Sequence, residues 1–178
     1  PDIVYVGVMG PAWSDGQERG LYRTRDAGRT WDRVLWQNER TGIADLVMDP
    51  SNPDKLFAAM WEFRRTPWDL TSGGPGSGLF VTYNGGDAWT QLSADDGLPE
   101  GELGRIGLAI APSNPDVVYA IVEATQSALI RSADGGRTWN TIDDAPGANP
   151  RPFYYADLRI DPDNENRLYR LSGSIQVS

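Results

Sequence analysis

Thr24-Arg-Asp-Ala-Gly-Arg-Thr-Trp31 decides the fold, because the chain repeats it as Thr82-Tyr-Asn-Gly-Gly-Asp-Ala-Trp89 and Ser132-Ala-Asp-Gly-Gly-Arg-Thr-Trp139. Each phrase sets a hydroxyl first, an Asp or Asn (Asp26, Asn84, Asp134) two residues on, a Gly (Gly28, Gly86, Gly136) two further, and a closing Trp. An Asx side chain bonds nearby backbone N–H groups and holds a tight bend. Gly takes positive φ there without steric cost. The Trp brings a large ring to bury, so Trp31, Trp89 and Trp139 are all expected in the core. One supersecondary unit used repeatedly signals a repeat architecture.

Other segments recur in step. Asp49-Pro-Ser-Asn-Pro-Asp54 returns as Ala111-Pro-Ser-Asn-Pro-Asp116 and Asp161-Pro-Asp-Asn-Glu-Asn166. Each lies between two β-rich runs, and further runs precede and follow each Asx turn. One unit is therefore four short strands, A to D, with period-2 patterning. Strand B is marked by Tyr5, Phe57, Tyr119 and Tyr169. Four-stranded antiparallel units of this length stacked radially make a β-propeller. The expected architecture is all-β: strands B-C-D of a first blade in 1–36, full blades in 43–92 and 105–142, and strands A-B of a fourth in 156–172. That is 13 strands, an incomplete ring of just over three blades. With Pro1 in first place, it predicts a piece of a longer polypeptide or a partner that completes the ring.

The alternation of strand direction sorts the connections onto two faces. From strand A to B, Leu46 to Phe57, Leu108 to Tyr119 and Leu158 to Tyr169 are each 11 apart. From strand C to the Trp, the spacing is 10 each time. From B to C it varies: 16, 22 and 10. A uniform face reads as scaffold and a variable face as the functional one. The variable face carries Trp61, Arg64, Arg65, Trp68 and Asp69 in one loop, and Arg105, Arg151, Tyr154 and Tyr155 in others. Trp, Tyr and Arg dominate binding hot spots, so these nine residues are the candidate partner-binding set. Arg64 and Arg65 beside Trp61 and Trp68 fit either an interface anchor or a loop folded on itself, with Arg paired to Glu62 or Asp69.

Composition narrows the chemistry. The chain of 178 residues carries a net charge of -9 and has no Cys and no His. Thiolate metal sites, disulfides and any His-based triad, base or zinc site are excluded. An acidic chain does not suit a nucleic-acid backbone. No apolar run is long enough to span a membrane, and no cofactor or metal site is expected. Gly73 to Gly78 lacks the Lys-Ser/Thr ending and the following helix of a phosphate loop. Asp161 to Asn166 lacks the Gly and distal Glu of a calcium loop. Asp15, Glu62, Asp69, Asp95, Asp96, Glu102 and Glu123 lie on the variable face, but no spacing selects two of them as an acid/base pair.

The three Asx phrases resemble the Asp-box, or BNR, repeat, Ser/Thr-x-Asp-x-Gly-x-Thr-Trp. The second departs from it at Asn84 and Ala88. The resemblance covers the whole chain and implies a propeller similar to those of sialidases, xyloglucanases, sortilin-type receptors and photosystem II assembly factors. It implies structural roles for the box residues and leaves activity open, since one fold hosts many functions. The expectation is a non-catalytic, extracytoplasmic (periplasmic or secreted) scaffold that presents aromatic and Arg loops to a protein partner or larger assembly. The alternatives are a part of a glycoside hydrolase or carbohydrate-binding propeller, and an accessory subunit docked peripherally on a membrane complex.

Overall fold

A computed structural model describes residues 1–171 and 174–178. Among these residues the chain is all-β, and its only helical element is a short 3-10 turn at Ala94–Asp96. The first sheet contains β1 (Val4–Val8), β2 (Gly20–Thr24) and β3 (Asp32–Leu35) in sequential order. The second contains β4 (Thr41–Met48), β5 (Leu56–Arg65), β7 (Gly78–Thr82) and β8 (Thr90–Gln91), with β6 (Leu70–Ser72) paired to β5 alone. The third contains β9 (Ile106–Ile110), β10 (Val118–Val122), β11 (Ala128–Ser132) and β12 (Asn140–Asp143). The fourth contains β13 (Asp157–Asp161), β14 (Asn164–Leu171) and β15 (Ile175–Val177). All strand pairs are antiparallel. Sequence patterning missed β6 and β15, both three residues long and too short to show a period.

The sheets follow one another as a fan: β1 lies against β4, β4 against β9, and β9 against β13. The core therefore sits between sheets. Period-2 alternation divides each middle strand between two such layers. In β10, Val118, Ala120 and Val122 join the layer against the second sheet, while Tyr119 and Ile121 join the layer against the fourth. Glycines set how closely inner strands approach. A Cβ on Gly107 would lie 2.1 Å from the Ala156 carbonyl oxygen, and one on Gly42 would lie 2.2 Å from that of Met9.

The Asx turns form the same lock three times. The Thr24 hydroxyl donates to Asp26 and accepts from the Gly28 amide at 2.9 Å. Asp26 accepts from both the amide and the hydroxyl of Thr30. Thr82 with Asn84, and Ser132 with Asp134, repeat the arrangement. Ala88 has no hydroxyl, so the second turn keeps only the amide bond to Asn84. The Gly residues at positions 28, 86 and 136 all have φ between 84° and 89°. Gly136 also faces Phe57 of the preceding sheet, where a Cβ would strike the ring.

The three tryptophans are not equally buried. Trp139 is buried and meets Phe57 edge-on at 6.2 Å. Trp89 is half-buried in the layer that holds Tyr5. Trp31 was expected in the core but is 42% exposed. Its ring lies on the side of the first sheet that no described sheet covers, so the burial its repeat position normally provides is missing there.

Candidate functional site

The variable face is organised around the extension of β5. What reads in sequence as a loop from Trp61 to Asp69 is strand through Arg65, followed by a hairpin back along β6. The register pairs Phe63 with Ser72, Arg64 with Thr71 and Arg65 with Leu70. At the tip, the Thr66 amide donates to the Asp69 carbonyl at 2.8 Å. Trp68 projects from this tip at 86% exposure, with Asp69 exposed beside it.

The base of the hairpin is held from below. Glu62 is buried, and its carboxylate accepts from the Gly76 amide at 3.0 Å and pairs with Arg40 at 3.7 Å. Gly74 and Gly76 lie so close to Glu62 that a Cβ on either would crowd it, at 2.6 and 3.0 Å. The glycine-rich stretch is thus a close approach of backbone to a buried carboxylate. Glu123 accepts from the Ser72 hydroxyl at 2.6 Å and from the Arg105 amide at 2.8 Å.

Alternate side chains of β5 form a stack that joins three sheets. The Trp61 and Phe63 rings lie 4.4 Å apart and nearly parallel. The Arg19 guanidinium covers the far side of Phe63 at 4.7 Å, and that of Arg105 covers Trp61 at 5.6 Å. Cations over aromatic faces are attracted by the ring quadrupole. Arg19 is fully buried and donates to the carbonyls of Met9, Pro11 and Ser14. Burial lowers its pKa, with Glu18 and Asp15 opposing that effect. Arg105 continues the chain of contacts by donating to the Phe153 carbonyl at 3.2 Å.

The hairpin tip reaches both neighbouring loops. The Arg65 amide donates to the Ala12 carbonyl at 2.8 Å, and Arg64 pairs with Asp15 at 2.6 Å. The partner of Arg64 is therefore Asp15, from another loop, rather than Glu62 or Asp69. Arg65 donates to the Tyr154 hydroxyl at 2.5 Å, 89 residues away in sequence. Arg151 lies over the same Tyr154 ring at 5.4 Å, and Tyr155 adjoins it at 6.3 Å. Of the nine sequence-predicted residues, Arg65, Arg151, Tyr154 and Tyr155 form one surface cluster. Trp68 and Asp69 project from the tip, and Arg64 braces the hairpin. Trp61, buried to 5% exposure, and Arg105 lie beneath as support.

Below this cluster, a cavity of about 380 Å³ is lined in part by Asp45, Arg105, Tyr154, Tyr155, Asp157 and Arg159. Asp45, Asp157 and Arg159 escaped sequence reasoning. The available signal was Ala44-Asp45-Leu46 returning as Ala156-Asp157-Leu158 in the inner strands, where apolar residues prevail. Asp45 sits at a bulge in β4 and accepts from the amides of Leu46 and Leu108, each at 2.8 Å. Burial pushes its pKa up despite those two bonds. Among the described residues, no group of His, Cys, Asp or Glu is placed to hold a metal ion, and no helix is long and apolar enough to cross a membrane.

Comparison with known proteins defines the class. No protein-family model matches the chain. A crystal structure of the GH74 xyloglucanase from Xanthomonas campestris superposes with a TM-score of 0.70 at 22% identity, covering 99% of this chain and 25% of that one. The GH74 enzyme of Niastella koreensis gives 0.68 at 19% identity, covering 99% and 26%. The four sheets are β-propeller blades.

In sequence, the chain is 26% identical over 182 residues to a probable oligoxyloglucan-reducing end-specific xyloglucanase of Neosartorya fischeri, covering 92% of this chain and 21% of that protein. It is 28% identical over 156 residues to a xyloglucanase of Paenibacillus sp, covering 85% and 14%. The chain thus spans about a fifth or less of the length of these curated relatives.

Proposed function

We propose that this chain is a non-catalytic binding segment of a propeller, whose variable face presents Arg65, Trp68, Arg151, Tyr154 and Tyr155 to a protein partner. One observation carries the reading. Four of the seven carboxylates that could serve as an acid/base pair on this face are instead tied into the scaffold, while Asp69, Asp95 and Glu102 are not. Asp15 pairs with Arg64, Glu62 accepts from the Gly76 amide, Asp96 bonds Ser93, and Glu123 bonds Ser72 and Arg105. What faces outward is an aromatic and cationic surface on a braced hairpin, the composition of an interface anchor. An extracytoplasmic setting belongs to the same proposal.

A second reading, a carbohydrate surface, is favoured by the xyloglucanase names of the sequence relatives. Flat exposed rings beside carboxylates suit a sugar as well as a peptide. Calorimetric titration with xyloglucan oligosaccharides, alongside a reducing-sugar assay, separates the readings. The proposal expects no release of reducing ends. Turnover by this chain would overturn it, and saturable glycan binding without turnover would replace the protein partner with a polysaccharide.

A further inference from the structure

Acidic residues outnumber basic ones in this chain by 25 to 16, yet Arg65, Arg105 and Arg151 meet around Phe153 and Tyr154 without a carboxylate paired to any of them. Arg65 and Arg151 lie over the Tyr154 ring at 5.9 and 5.4 Å. Arg105 donates to the Phe153 carbonyl at 3.2 Å and lines the same cavity as Tyr154. Among the described residues, ion pairs go to other arginines. Arg23 and Arg25 share Asp87, Arg64 takes Asp15, Arg167 takes Asp161 and Arg170 takes Asp143. Arginines stacked on rings of the scaffold stand singly, Arg131 on Tyr119 and Arg137 on Tyr83.

Rings rather than acids hold the three cations. A guanidinium stacked on an aromatic face keeps its in-plane N–H edge free, and that fork matches a carboxylate. Arg105 bonds through Nη1 alone, and its enclosed Nε has no partner among the described residues. The Tyr154 hydroxyl accepts from Arg65, so its own proton is left to donate. The Tyr155 hydroxyl makes no hydrogen bond among the described residues.

The carboxylates of the cavity are already engaged. The two oxygens of Asp45 accept from the amides of Leu46 and Leu108, and Asp157 pairs with Arg159 at 2.5 Å. Unused donors beside engaged acceptors suit an anionic group. The walls belong to three neighbouring sheets of this chain, through Asp45 in β4, Arg105 just before β9 and Asp157 in β13. A volume of about 380 Å³ admits a side chain rather than a run of sugar rings.

We infer that Arg65, Arg105 and Arg151 receive an Asp or Glu side chain, so that the protein partner docks through an acidic segment. The inference rests on the protein-partner reading above and adds the chemistry that is recognised. Arg65 and Arg151 form a cationic rim that steers the segment in. Arg105, stacked on Trp61 below, supplies the anchor.

Fluorescence anisotropy tests it with a labelled, amidated peptide of alternating Glu and Tyr. A peptide with Gln in place of Glu is the neutral match, and trigalacturonate is an acidic sugar competitor. The Glu peptide should bind saturably, at least tenfold tighter than the Gln peptide, and should weaken as ionic strength rises. R151E and R65Q should each weaken it at least tenfold with an unchanged circular dichroism spectrum. R137E, on the scaffold face, should leave it unchanged. Equal binding of the two peptides, weakened by W68A but not by R151E, would overturn the acidic segment and keep the protein-partner reading. Trigalacturonate binding that R151E abolishes, with neither peptide bound, would overturn both. Absence of binding by every probe would overturn the inference alone.

Discussion

The Asx turns and the β5–β6 hairpin are both connections between strands, yet different bonds hold them. Each turn is closed by side chains that bond backbone within four residues, as Thr24 does to Gly28 and Asp134 to Thr138. The hairpin is held by Ala12, Asp15 and Tyr154, which lie 49 to 89 residues away from their partners. Local bonds can be copied with the repeat, so that face is uniform. Long-range bonds depend on which loops happen to be neighbours, so the other face differs from blade to blade. The closure of each turn is thus specified within its unit, whereas the hairpin is held between units.

The largest expected effect lies at the junction of a turn with its neighbouring sheet. Trp139→Ala removes a buried ring packed against Phe57, and should cost about 3–5 kcal/mol in urea unfolding. Trp31→Ala, at the same repeat position but half exposed, should cost less than about 1 kcal/mol in the isolated chain. Equal losses would show that the ring acts within its own turn rather than across sheets.

Arg19 tests the other face. Its guanidinium satisfies three carbonyls of one loop and covers Phe63. Arg19→Ala leaves those carbonyls to be resolvated and should cost roughly 3 kcal/mol. Arg19→Lys should recover only a part, because one ammonium cannot reproduce the planar fork. If the alanine variant were as stable as wild type, the stack of Arg19, Phe63, Trp61 and Arg105 would not be what positions the hairpin.

These two cases also show why the sequence reveals one face better than the other. Tyr5, Phe57, Tyr119 and Tyr169 recur with the Asx turns, so the sheets, their order and the scaffold face follow from spacing. β15 is hidden because it is three residues long, and the exposure of Trp31 because burial belongs to its neighbour as much as to itself. On the variable face, residue types singled out loops that the fold brings together. They could not distinguish Trp61, which lies inside, from Trp68, seven residues later, which projects into solvent. That difference arises because β5 runs on past the core and turns back beyond it. Asp45 was missed because its partner, the Leu108 amide, lies on the next blade.

A smaller effect, readable by pH, lies within the turns. In Asp134, burial opposes ionisation, but the Thr138 hydroxyl and amide and the Ser132 hydroxyl outweigh it and hold the pKa down to about 2. Asp26 is likewise held at about 2, chiefly by the amide and hydroxyl of Thr30. A carboxylate with a depressed folded-state pKa contributes its stability above the unfolded value and loses it as pH falls toward the folded one. The window here runs from about 3.8 down to about 2. Asp134→Ala should cost about 1–2 kcal/mol at neutral pH, the scale of a lost capping side chain. Asp134→Asn should flatten the acid limb of the stability curve within that window. Asn84 already holds the second turn in uncharged form, so Asn84→Asp should steepen the same limb.

The smallest effect on stability should accompany the largest effect on binding. Arg65, Trp68 and Tyr154 are surface groups; one exposed hydrogen bond joins Arg65 to Tyr154, and Trp68 is 86% exposed. The combined change Arg65→Ala, Trp68→Ala and Tyr154→Ala should therefore move unfolding by only about 0.5 kcal/mol. Arg64 is left in place because its pair with Asp15 braces the hairpin. If the rim is the interface anchor, partner affinity should fall by roughly a hundredfold, equivalent to about 2.7 kcal/mol. Surface plasmon resonance against the captured partner gives the binding change, and urea unfolding gives the stability change. Undiminished affinity would move the interface away from this rim. A stability loss as large as that of Trp139→Ala would mean that the hairpin belongs to the scaffold, and that the two faces differ in sequence without differing in role.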